Sequence, residues 1–78
     1  MKKSDLQDSV VKALRSLDGV GSVADIAKKI WEESENELRE AGELFYTWQY
    51  DMRWAGQILQ KKGVLKKANR KWTLLKSH

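Results

Sequence analysis

After Lys62-Gly63 the helical spacing of apolar residues gives way to two short runs that read as strands, Val64-Leu65-Lys66-Lys67 and Lys71-Trp72-Thr73-Leu74-Leu75. They flank Ala68-Asn69-Arg70, a link short enough for a tight hairpin, and Asn69 tolerates the left-handed backbone such turns require. An isolated two-stranded hairpin is marginal in water, so this one must pack on what precedes it, with Val64 and Trp72 as the obvious contributors. A chain of 78 residues has room for one domain, 1–78, around one small core. The expected fold class is mainly α with a small β element: three main helices carrying a C-terminal two-stranded hairpin at about residues 64–75.

The helices are read from apolar spacing. Leu6, Val10, Leu14 and Leu17 share one face of a first helix, with Ser4 or Asp5 as its N-cap and Gly19 as its stop. Gly19-Val20-Gly21 breaks the pattern. Ser22 opens a second helix, with Asp25 three residues later as a weak capping box and Val23, Ile26, Ala27, Ile30 and Trp31 as its stripe. From about Phe45 to Lys62 the period returns, placing Phe45, Trp48, Met52, Ala55 and Leu59 on one side. Tyr46, Tyr50, Arg53, Gln57 and Lys61 fall on the other, with Thr47 and Trp54 on its flank. Gly56 costs this helix about 1 kcal/mol relative to Ala, which points to close approach by a neighbouring element. Lys62-Gly63 ends it with a cation and a C′ glycine.

Charge divides the chain. Residues 1–39 hold seven Lys/Arg against eight acids, a balance of −1. Residues 40–78 hold eight against three, a balance of +5, and the halves sum to the net +4. From Met52 to His78 there are eight Lys/Arg and no acid. A polyanion is the partner such an imbalance suggests. The acids concentrate in residues 32–43, where Glu32, Glu33, Glu35, Glu37, Glu40 and Glu43 face Arg39 alone. This reads as a solvated helical extension or acidic connector at about 33–44, ending near Gly42; a patch for a protein partner is the other reading.

The same inventory narrows the function classes. With no Cys there is neither a disulfide nor a cysteine-ligated metal, which fits a reducing compartment. No run approaches the roughly 20 apolar residues that span a bilayer, and no hydrophobic stretch follows Met1-Lys2-Lys3-Ser4-Asp5, so a cytoplasmic chain with no membrane contact is expected. The only His is His78, with no carboxylate near it in sequence. No catalytic residue, metal or cofactor is therefore expected, and the chain is not expected to be an enzyme.

Helix, helix, connector, long helix and tight hairpin is the winged helix-turn-helix order. Arg53-Trp54-Ala55-Gly56-Gln57-Ile58-Leu59-Gln60-Lys61-Lys62-Gly63-Val64-Leu65, followed by a basic turn and Lys71-Trp72-Thr73, resembles the third-helix-to-wing stretch of the N-terminal module of Mrr-type restriction endonucleases. The likeness in element order covers most of the chain and is specific over roughly residues 48–75. It implies double-stranded DNA binding, with the third helix toward the major groove and the wing on the backbone. Family enzymes continue into a nuclease domain, whereas here no acid follows Asp51, so a nuclease metal cluster is not expected beyond the wing.

On this reading Tyr50, Arg53 and Gln57 touch bases, since Arg can pair bidentately with guanine and Gln with adenine. Lys61, Lys66, Lys67, Arg70 and Lys71 hold phosphates, and Ser22 at a helix N-terminus could grip one more. The bland readings are a solvated helix face, edge-strand protection by charge, and a bare N-cap. Trp54 could stack on bases, but is expected to close over the second helix against Trp31 as core, as Trp48, Trp72 and Met52 are in their own places. The chain would be a regulator of transcription or the reader part of a restriction-like system, with a homodimer, or a fused or separate nuclease or other protein, as further partner. A protein-interaction winged helix using the Trp/Tyr surface and acidic connector is the alternative, and RNA binding a third.

Overall fold

Short capping devices set the helix boundaries. In the computed structural model, which describes residues 1–75, α1 (Asp5–Ser16), β1 (Val20–Ser22), α2 (Val23–Arg39), α3 (Leu44–Lys61), β2 (Leu65–Ala68) and β3 (Lys71–Leu74) follow in order. Lys76 and His78 lie outside the described residues. The capping box expected at α2 is present: the Asp25 N–H donates to Ser22 Oγ at 3.1 Å, and the Ser22 N–H to Asp25 Oδ2 at 3.4 Å. The start of α1 differs from expectation, because Ser4 makes no side-chain cap and the Asp5 carboxylate accepts from the Lys2 N–H instead, at 2.8 Å. Both α1 and α3 end in the paired backbone bonds of a Schellman motif. In α3, Gly63 (φ 77°) and Val64 donate back to Gln60 and Leu59. In α1 the first left-handed residue is Asp18 (φ 61°), one position before the glycine expected to stop the helix.

The sheet has three strands where the sequence reading has two. Its order is β1-β3-β2, both pairings antiparallel, so β3 is central. Val20, Gly21 and Ser22 pair with Thr73, Trp72 and Lys71. A segment this short cannot display an alternating pattern, and its pairing partner lies at the other end of the chain. The hairpin turn is also tighter than expected. Ala68 belongs to β2, leaving Asn69 (φ 54°) and Arg70 (φ 63°) as the two central residues, both left-handed as in a type I′ turn.

The acidic connector contracts too. The Glu-rich stretch continues α2 past a break at Ser34 (φ −132°), and the fully buried Leu38 fastens its last turn to the core. Only residues 40–43 separate α2 from α3. No helix among the described residues is long and apolar enough to cross a membrane.

All three helices and both hairpin strands feed one core. Leu6, Val10 and Leu14 of α1 meet Ile26 and Ile30 of α2, Trp48, Met52 and Leu59 of α3, and Leu65 and Trp72 of the hairpin. Gly56 is the contact that lets the hairpin reach α3. A Cβ there would stand 2.3 and 2.4 Å from Cη2 and Cζ3 of Trp72, a buried ring. Gly56→Ala should therefore lower stability by up to about 2 kcal/mol net, since overpacking costs about 1–3 kcal/mol and the helix-propensity gain returns about 1. In a thermal melt the midpoint should fall by about 4–8 °C per kcal/mol; a rise would contradict the close approach.

Candidate nucleic-acid interface

The hairpin sorts its cations by strand register. Residues paired across antiparallel strands share a face, so Lys67 lies beside Trp72 and Leu65 beside Leu74 on the inner face. Lys66 beside Thr73 and Ala68 beside Lys71 form the outer face. Lys67 Nζ sits 4.6 Å from the centre of the Trp72 ring, a cation–π contact, and burial pulls its ammonium below the ordinary lysine range. Lys66, Arg70 and Lys71 are exposed. These three, with Arg53 and Lys61, have no carboxylate partner among the described residues, where carboxylates engage other cations such as Lys3, Lys29 and Arg39. Arg70 holds its charge at the turn tip in a left-handed backbone, a conformation that costs a side-chain-bearing residue about 1–2 kcal/mol.

Four of the residues selected from sequence come together. Ser22, Lys67, Arg70 and Lys71 line an open groove between the N-terminus of α2 and the hairpin turn. Within it Ser22 acts as a cap. Its hydroxyl and the Asp25 carboxylate take each other's backbone N–H groups, so a carboxylate already sits at this helix end. The groove's positive character comes from Lys67, Arg70 and Lys71.

On α3, Tyr50, Arg53, Gln57 and Lys61 are all exposed, as the helical spacing requires. Two contacts orient the helix. Gly56 faces Trp72 of the hairpin, and Asp51 faces the chain's N-terminal segment through Lys3 Nζ at 3.5 Å. At about 100° per residue, Gln49, Arg53 and Gln60 lie within about 60° of Gly56, and Gln57 about 100° away. The side of α3 nearest the hairpin thus carries amides and a guanidinium, while Lys66 and Lys71 lie on the hairpin's outer face. Tyr50 lies about 120° and Lys61 about 140° from Gly56, farther round the helix.

Trp54 is not the core residue expected. It is 46% exposed and meets Tyr50 edge-on at 6.4 Å between ring centres. Trp31 instead stacks on Trp48 at 6.1 Å with planes 11° apart and meets Phe45 at 6.3 Å, while Arg39 covers Trp31 from 5.3 Å. Sequence reasoning also missed the role of Asp51, the sole acid of α3. It is 8% exposed, accepts from Thr47 Oγ1 at 2.8 Å and pairs with Lys3, so its charge is compensated internally. The four-residue spacing of Thr47 and Asp51 was the available signal. No group of three or more His, Asp or Glu side chains suited to a metal occurs among the described residues.

No family model, curated protein or solved structure matches this chain. The two tryptophans of α3 supply a direct check on its orientation. Trp48→Ala should cost about 3–5 kcal/mol in chemical denaturation, as expected for a buried ring. Trp54→Ala should cost under about 1 kcal/mol. Comparable losses would place Trp54 in the core after all.

Proposed function

We propose that the chain is a double-stranded DNA-binding module of the winged-helix kind, with the hairpin as its wing on the phosphates and the hairpin side of α3 toward the major groove. The observation that carries this reading is the join at Trp72. It holds an acid-free hairpin, with Lys66 and Lys71 on its outer face and Arg70 at its tip, against the side of α3 that carries Gln49, Arg53 and Gln60. Phosphate contacts give affinity and register, whereas groups that reach base edges give sequence preference. Within this division Lys66, Arg70 and Lys71 grip the backbone, and Lys67 joins them from the inner face while also covering Trp72. Lys61 adds a phosphate contact from the last turn of α3. Arg53 and Gln57 are the base readers, with Tyr50 at the edge of the contact. Element order and the β1-β3-β2 sheet support the winged-helix assignment. The Arg53-Trp54-Ala55 start keeps the resemblance to restriction-enzyme reader modules as the more specific form of the proposal.

The left-handed Arg70 gives the reading a sharp test. Arg70→Gly relieves the backbone and should raise stability by about 1 kcal/mol, yet it removes a phosphate contact. Measured by fluorescence anisotropy on duplex DNA, its slope of log affinity against log salt should be shallower by about one, equally for all sequences. Arg53→Ala should instead cost about 1–3 kcal/mol on the preferred sequence and little on others. Absence of duplex binding by the unaltered chain at low salt would overturn the proposal.

A further inference from the structure

Apart from Tyr50 at the edge of the contact, this function leaves unused a row along α3. Tyr50, Trp54 and Ile58, four residues apart, are 64%, 46% and 38% exposed. Such a row is the ridge that one helix inserts into the groove of another, and this one spans about 12 Å of helix. Exposed apolar groups set side by side mark an interaction surface. Trp54 and Ile58 lie about 160° from Gly56, on the side of α3 turned away from the hairpin.

Charge identifies what fits there. Lys61 borders the row on one side. On the other, Lys3 pairs with Asp51 while its side chain stays 69% exposed, and at the C-terminal end of the row Lys62 reaches Gln7 of α1 at 3.1 Å. The only acid of α3 is the buried Asp51. The ridge is therefore apolar, rimmed by ammonium groups, with no exposed carboxylate on its own helix.

We infer that this ridge docks an amphipathic helix of a protein partner, one with aliphatic side chains at four-residue spacing and Asp or Glu along its flanks. The other occupants fit less well. Ridge-to-ridge pairing of two copies would oppose like charges along both flanks. The acidic half of α2 in a second copy would match the charge, but its exposed residues, among them Glu32, Glu33 and Glu37, offer the ridge nothing apolar. Single-stranded nucleic acid requires rings on which successive bases stack, whereas Tyr50 and Trp54 meet at 72° and Ile58 has no ring.

The test uses the full 78-residue chain, isotope-labelled for NMR, with two stapled helical peptides. One has Leu at every fourth position and Glu on both flanks; the other carries Lys in place of each Glu. The acidic peptide should shift the Trp54 indole and Ile58 methyl resonances saturably and bind at least about tenfold more tightly than the basic one. Trp54→Ala combined with Ile58→Ala should weaken the acidic peptide about tenfold or more while duplex DNA affinity stays within about twofold. The melting temperature of that double variant, both of whose sites are exposed, verifies that it folds. Equal binding of both peptides, shifts away from the row, or self-association of the chain through these residues would overturn the inference. So would loss of duplex DNA binding in the double variant, which would assign the row to the nucleic-acid surface.

Discussion

The packing of Trp72 is the contact on which the arrangement depends. Its indole rests on Gly56 of α3, lies under the Lys67 ammonium and pairs through its backbone with both neighbouring strands. A hairpin alone would be marginal, so this ring attaches the basic end of the chain to the helices. The glycine that admits it weakens α3 locally, and the lysine that covers it is drawn from the same set of cations that gives the hairpin its charge. Fold and proposed function meet at one side chain.

Charge separation follows from that attachment. The acids of the chain are compensated or kept elsewhere: Asp51 by Thr47 and Lys3, Glu35 by Arg39, Asp25 within a capping box. The hairpin receives none, and its turn places Arg70 where glycine would be more comfortable. A cation retained against its backbone preference is a physical reason to look for a ligand at the tip. On the opposite side of α3 the exposed row has the reverse character, apolar at its centre and charged only at its rim.

What the sequence revealed depended on the range of the interaction. The face of α3 carrying Trp48, Met52 and Leu59, the Ser22–Asp25 box and the glycine stop at Gly63 are local and were legible, as was the reason for Gly56. β1 was not, because Val20 to Ser22 become a strand only by pairing with β3. Trp54 misled for a related reason: its size suggested core, but the place beside Trp31 is taken by Trp48. Within the candidate site the hairpin cations were visible as charge. Their division between faces was not, since moving Ala68 from turn to strand fixes the register that sets Lys67 inside and Lys66 outside.

The central claim is that duplex DNA engages the hairpin and the hairpin side of α3 together. Chemical-shift mapping of the chain with a duplex at low salt tests it most directly. Perturbations at Arg70, Lys71, Arg53 and Gln57, with the Trp54 indole and Ile58 methyl signals unmoved, are the result expected. Perturbations centred on Trp54 and Ile58, with the hairpin silent, would contradict it.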